Sequence, residues 1–281
     1  MVIIQKPVGQ LCNQLFTMVH FAAAAIEHDF RVFFPGFQYP LECFPNINSE
    51  SRFRVMNLSD EMNRSIKLSL KVLRLLVRQS PWHEGILMEG SPYVNIGDKE
   101  FVIKARQKLV ACEGFGFRDV LSVKKHHWRL KEIFRPSQEI ENNVKTYMKR
   151  HGLDRGVVLV GIHIRRGDYR TYLNGKYYYD DDSWLTWITR VRSVFNSEAR
   201  RFVGVVFSNE KVVKIIDSSG DLILGPGDAY EDLHLLSKCD YIIGPPSTFS
   251  GWASYIGRVP VHYLSHANTQ IERNRFEIVE W

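Results

Sequence analysis

The segment His163-Ile164-Arg165-Arg166-Gly167-Asp168-Tyr169 brings two guanidiniums, an imidazole and a carboxylate into seven residues. It follows an apolar run, Val157 to Ile162, with the composition and length of a buried strand, and it precedes loop sequence rich in Tyr and Asp. Open α/β sheets hold ligands at the carboxyl ends of their strands. Neighbouring arginines repel unless an anion lies between them, and the planar guanidinium fork suits phosphate oxygens better than a Lys ammonium does. The segment therefore predicts a phosphate or pyrophosphate site, the alternative being a surface Arg pair bridged to Asp168. Strand alternation would put His163 and Arg165 on one face. The imidazole is then either a ligand contact or a buried structural His.

A second cluster, Gly244-Pro245-Pro246-Ser247-Thr248-Phe249-Ser250-Gly251, follows the apolar segment Tyr241 to Ile243 and opens a helix. Hydroxyls and backbone N–H groups at a helix start attract anions, aided by the helix dipole. One hydroxyl suffices for an N-cap, whereas Ser247, Thr248 and Ser250 supply three within four residues. Two smaller signals stand at neighbouring strand ends. Ser208 and Asn209 in Phe207-Ser208-Asn209-Glu210, and Asp232 in Glu231-Asp232-Leu233, could read a base or ribose or could equally be helix caps. Asp180-Asp181-Asp182 has the look of a metal-holding acidic triplet. The helical spacing of Trp184, Leu185, Trp187 and Ile188 places it instead in a first helical turn, where the dipole favours negative charge. His126-His127 has no spacing that would argue for zinc, so no metal site is expected.

Elements must position these groups. Val2 to Gln5 reads as a strand, followed by a loop around Gly9 and a helix from about Leu15 to His28; Arg31 to Phe34 reads as a second strand, ended by Pro35. Met62 to Arg78 has an apolar stripe beside a Lys/Arg stripe, which suits either a core-packed helix with a solvated edge or a peripheral contact with an anionic membrane. Lys108 to Cys112 is a strand leading into the Gly/aromatic loop Glu113 to Arg118, and Ser137 to Arg150 is a helix. Beyond Gly152–Gly156 the pattern alternates. Strands are expected at 157–164, 202–207, 222–224, 241–243 and 261–263, with helices at 183–195, 210–216, 232–237 and 249–256. This rhythm predicts a parallel sheet covered on both faces. The domain reading is 1–152 and 153–281.

The 281 residues are 44% hydrophobic and 24% charged, enough for two cores, and the net charge of +6 suits an anionic partner. Basic residues are dispersed without an aromatic-interleaved signature, so nucleic acid is not expected. Cys12, Cys43, Cys112 and Cys239 are far apart within apolar stretches and form no CxxC, which argues for reduced, buried thiols. No signal peptide is read before Val2, and Phe21 to Ile26 is too short to span a bilayer. The expectation is a soluble cytoplasmic protein, with contact at the inner membrane face through the Met62–Arg78 helix as the variant. Oligomeric state leaves no mark on the sequence.

Taken together, the motifs resemble those of the α-1,2-fucosyltransferases and their α-1,6 and protein-O-fucosyltransferase relatives. His163-Ile-Arg165-Arg166-Gly-Asp168-Tyr169 is similar to the HxRRxDY motif, and Gly9-Gln-Leu-Cys12-Asn13-Gln14-Leu-Phe16 to the opening GxLGNQLF. Glu113-Gly-Phe115 resembles the central aromatic loop, and Tyr177-Tyr178-Tyr179 stands where a Tyr pair is usual. Asp232-Leu-His-Leu-Leu-Ser-Lys-Cys239, followed by Ser247-Thr248-Phe249-Ser250, resembles DLxLMSxC…STFS. The departures are Ser208-Asn209-Glu210 for FSDD, Pro245-Pro246 for the Asn before STFS, Gly251-Trp252 for a Trp pair, and Cys12 for Gly.

The resemblance implies a GT-B-like α/β fold of two Rossmann-like halves with a cleft, the N-terminal half on the acceptor side and the C-terminal half holding a GDP-sugar. It implies metal-independent, inverting transfer of L-fucose from GDP-β-L-fucose to a glycan hydroxyl, galactose O2 first among them, in polysaccharide biosynthesis, with no cofactor. Arg165 would stabilise the β-phosphate, helped by Thr248, Phe249 and Ser250. His163 and Asp232 would contact guanine or ribose, and Gly9, Asn13 and Gln14 would line the cleft. Asp168 would act as base or would orient Arg165 or Arg166. A related transferase using another GDP-sugar, or an inactive GDP- or glycan-binding protein, remains the alternative.

Overall fold

The computed structural model of the chain describes residues 1–4, 8–57, 83–87, 93–153, 156–195, 201–216 and 220–280. They form two compact units, Met1–Ser137 together with Glu280, and Gln138–Val279. The amphipathic segment Met62 to Arg78 lies outside the described residues.

The first unit is built on a parallel five-stranded sheet. It is ordered β3 (Phe53–Asn57), β2 (Val32–Phe37), β1 (Val2–Ile4), β6 (Leu109–Glu113), β4 (His83–Leu87). Pro35 does not end β2 as the sequence suggests. The strand passes through Pro35-Gly36 with a register shift between Phe34 and Phe37, the kind of irregularity at which a strand tolerates proline. Helix α1 (Leu11–His28) begins four residues earlier than its periodicity indicated and buries residues on all sides, including the run Ala22–Ala25. A helix apolar all round belongs in a core. Asp29, at φ 51°, ends it in the left-handed region. The Gly/aromatic loop contains a two-residue strand, β7 (Phe117–Arg118), paired in parallel with β5 (Val94–Asn95). Helices α2 (Lys99–Gln107), α3 (Val120–Lys125) and α4 (His127–Ile133) complete the unit.

The second unit begins with α5 (Gln138–Arg150), which the sequence reading had placed in the N-terminal domain. Its partners explain the difference: Asn143 Nδ2 donates to Glu231 Oε1 at 2.7 Å, and the Tyr147 hydroxyl donates to the Leu224 carbonyl. The parallel sheet runs β10 (Leu222–Leu224), β9 (Arg201–Ser208), β8 (Val157–Ile164), β11 (Tyr241–Gly244), β12 (Val261–Tyr263). Every residue of β8 is buried, as a central parallel strand requires. Helix α6 (Asp181–Phe195) sends Trp184, Trp187, Ile188, Val191 and Phe195 into the core. Each such side chain contributes roughly 2–3 kcal/mol of burial. Helices α7 (Val213–Ile216), α8 (Ala229–Leu236) and α9 (Thr248–Gly257) connect the remaining strands. Counted within the unit, the strand order is 3-2-1-4-5. Chain direction across the sheet therefore reverses between β8 and β11, and the carboxyl ends of those two strands are the topological switch point.

None of the four cysteines is in a disulfide; Cys12, Cys112 and Cys239 are buried and Cys43 is half-buried. Among the described residues no helix is long and apolar enough to cross a membrane.

Candidate functional site

Both main motifs end at that switch point. His163 is the penultimate residue of β8, and β11 lies beside it so closely that a Cβ on Gly244 would come within 2.8 Å of the His163 carbonyl oxygen. The imidazole is buried, stacks on Phe249 with centroids 5.2 Å apart, and leaves Nδ1 without a hydrogen-bond partner among the described residues. Burial, with the Arg165 charge adding to it, pushes its pKa down to about 3, so the ring is neutral at physiological pH.

β8 stops at Ile164, which puts Arg165 in the loop rather than on a shared strand face with His163. Each arginine of the pair has its own carboxylate partner. Arg165 is held by Asp168, with Nε 2.9 Å from Oδ1 and Nη2 donating to Oδ2 at 3.0 Å, and its guanidinium lies 5.7 Å from the centre of the Tyr169 ring. Arg166 is buried and pairs with Asp181. The acidic triplet thus serves helix α6 and this ion pair: Asp180 Oδ1 accepts from Ser183 N at 2.9 Å, and Asp181 takes Arg166. Asp168, with both oxygens engaged, orients Arg165.

Two side chains from the end of β9 fix the turn. Asn209 Oδ1 accepts the Arg166 N–H at 2.9 Å, and Glu210 Oε1 accepts the Gly167 N–H at 3.0 Å while its Oε2 accepts from Arg170 at 2.9 Å. Gly167 has φ +47°, and a Cβ there would sit 2.7 Å from Asn209 Nδ2, so the position calls for glycine. Ser208 Oγ accepts from Glu210 N at 3.2 Å, shaping the same corner.

On the β11 side, Ser247 caps α9 by accepting from Phe249 N at 3.2 Å, and Ser250, fully buried, donates back to the Ser247 carbonyl. Thr248 opens the helix half-buried beside them. The Tyr169 hydroxyl donates to the Pro246 carbonyl at 2.6 Å, tying the arginine loop to the helix start. Asp232 lies in the first turn of α8, whose cap is Asp228. Its Oδ1 accepts the Gly227 N–H at 3.0 Å, and burial, with Asp228 and Glu231 adding to it, raises its carboxyl to about 6.

His163, Arg165, Asp168, Thr248 and Phe249 are therefore gathered around one sheet edge, with Arg166, Ser208 and Asn209 behind the arginine turn. A fixed guanidinium fork beside a helix start suits an anion such as a diphosphate. Glu210 and Tyr169, which were not among the expected site residues, also hold the arginine turn in place. Tyr169 stood within the motif, but its partner, the Pro246 carbonyl, lies 77 positions away.

Gly9, Asn13 and Gln14 belong to the first unit. Gly9 has φ +67° and carries Asn13 folded over it, so close that any Cβ would overlap the amide. Gln14 is buried and bridges the Gly9 carbonyl (3.2 Å) to Gln38 Oε1 (2.8 Å), pinning the loop before α1.

In comparisons with known proteins, residues 116–277 match the model of glycosyl transferase family 11. Galactoside alpha-(1,2)-fucosyltransferase 1 of Aotus nancymaae is 27% identical over 161 residues, covering 50% of this chain and 42% of that protein. The Sus scrofa protein of the same name is 31% identical over 122 residues, covering 40% and 33%. The matches thus span less than half the length of these relatives. The Bradyrhizobium fucosyltransferase NodZ aligns over 95% of this chain and 96% of its own, with TM-score 0.57 and 14% identity. Arabidopsis thaliana FUT1 in complex with GDP aligns over 97% and 71%, with TM-score 0.56 and 13% identity. At such identities the likeness is one of fold, a GT-B-like α/β architecture of two Rossmann-like units. With the family match covering more than half of its length, the chain belongs to glycosyl transferase family 11.

Proposed function

We propose that this protein transfers L-fucose from GDP-β-L-fucose to a glycan hydroxyl, galactose O2 the first candidate, with inversion and without a metal ion. The observation that carries this reading is the Arg165 fork, fixed by Asp168 and Tyr169 at the switch point beside the start of α9. In such a transfer the acceptor oxygen bonds to the anomeric carbon as the bond to the β-phosphate breaks, the acceptor's hydroxyl proton passes to water or to an oxygen of the departing diphosphate, and charge builds on that diphosphate. A preorganised cation and a helix N-terminus stabilise that charge. The names of the relatives and neighbours support the donor: two neighbouring structures are a NodZ alpha-1,6-fucosyltransferase soaked with GDP-fucose and POFUT1 in complex with GDP-fucose. The engagement of Asp180 and Asp181 in capping and pairing supports a metal-free reading of the acidic triplet. We assign Asp232 and neutral His163 to the guanosine, and Asp168 to holding Arg165 rather than to the base.

Calorimetric titration with GDP, GDP-fucose, GDP-mannose, UDP and dTDP in EDTA tests the donor. A panel of galactosides, with product linkage read by NMR, then tests the acceptor. Binding of GDP and GDP-fucose in EDTA with transfer to a galactoside is expected. Transfer only from GDP-mannose would move the reading to another GDP-sugar, tight GDP binding with no transfer to a catalytically inert binder, and a requirement for Mg²⁺ would end the metal-free mechanism.

A further inference from the structure

The first unit carries a pocket of about 580 Å³ that the donor site does not use. It is walled by the last turn of α1, by β5 and β7, and by the start of α3. Gly9, Asn13 and Gln14 stand at the opposite end of α1, about 20 Å away along the helix. Arg118 lines it, only 7% exposed. Its hydrogen bonds both leave from Nη1, to the carbonyls of Phe115 and Phe117, and no carboxylate among the described residues pairs with it. The rings of Phe115 and Tyr93, 4.4 and 5.3 Å from the guanidinium carbon, hold the fork in place. Both carboxylates in the wall are already engaged. Asp119 caps α3 through Ser122 N and meets His28 Nε2, both at 3.0 Å, and Glu27 takes Lys125 and His126.

A buried, unpaired guanidinium is costly and is relieved by an anion. Among the described residues the Nε–Nη2 edge has no partner and no second uncommitted cation stands beside it, so the site matches the two oxygens of a carboxylate rather than a phosphate dianion. Tyr93, 74% exposed, offers a flat ring at the mouth against which the face of a sugar can lie. The volume lies in the range of pockets that hold small ligands. We propose that this pocket binds a carboxylate-bearing sugar unit, its carboxylate on the Arg118 fork and its ring against Tyr93. The inference goes beyond the donor-site reading and does not depend on it.

Saturation-transfer NMR on the full chain with methyl β-D-glucuronide and methyl β-D-glucoside tests it, alongside calorimetry with GDP on the same samples. Millimolar binding of the glucuronide is expected, at least about tenfold tighter than the glucoside. Arg118→Lys, which keeps charge but loses the fork, should remove that preference, and Tyr93→Ala, at an exposed position, should weaken binding several-fold without disturbing the fold. GDP should not displace the glucuronide. Equal binding of the two sugars, displacement by GDP, unchanged binding in both variants, or no saturation transfer at about 20 mM would overturn the proposal. Glucuronide binding with no GDP binding would strike the donor reading and leave this one standing.

Discussion

At the scale of single residues, the proposed chemistry rests most directly on Arg165 and Asp232. If Arg165 stabilises the developing diphosphate as proposed, Arg165→Ala removes that charge-assisted donor, and turnover of GDP-fucose should fall by a factor of about 10² or more, roughly 3 kcal/mol. Initial rates at saturating donor, checked against an unchanged circular dichroism spectrum, would show it; normal turnover would remove Arg165 from the mechanism. Asp232 makes a pH prediction. The folded chain keeps its proton up to about pH 6, whereas an unfolded Asp loses it near pH 4. Stability should therefore drop as pH rises through about 4 to 6 and stay lower above that window. Asp232→Asn should be the more stable protein above pH 6 and indistinguishable near pH 4 in thermal melts. Guanine presents N–H donors to an ionised carboxylate, so GDP affinity should rise with pH through the same window by more in the parent than in the variant, where only the phosphate of the ligand itself titrates nearby.

At the scale of elements, the arginine turn is held from outside itself. Asn209 and Glu210 at the end of β9 accept two consecutive backbone N–H groups, those of Arg166 and Gly167. Asn209→Asp keeps an acceptor oxygen in place and should retain most activity, whereas Asn209→Leu strands a partly buried N–H at a cost of about 1–3 kcal/mol. Melting temperature and kcat should both fall for Leu and barely move for Asp. Equal behaviour of the two would show that the clamp does not position Arg165. The resemblance to FSDD pointed to this segment without revealing its task, because the N–H groups it serves lie 43 positions earlier in the chain.

At the scale of the whole molecule, the second unit has its own sheet and core, and all proposed diphosphate contacts fall within it. GDP should slow hydrogen exchange at 163–168, 208–210 and 247–250 and leave α2 unchanged, with a stabilisation of about 2.7 kcal/mol at a ligand concentration 100 times Kd. Protection confined to the first unit would contradict the assignment. What the sequence by itself determined is whatever depends on local pattern. The wholly apolar run of β8, the helix start at Ser247 and the βαβ rhythm of the second half all follow from periodicity and capping chemistry, which act within a few residues. The family motifs were legible for the same reason, each being a contiguous strand-end or helix-start phrase. Tertiary structure decided which groups meet: Asp168 with Arg165 rather than with Arg166, Arg166 with Asp181, Tyr169 with the Pro246 carbonyl, and Arg118 with no carboxylate among the described residues. It also carried β2 through Pro35 and gave α5 to the second unit. Such pairings depend on strand order and on side-chain burial, and neither is written in the spacing of residues along the chain.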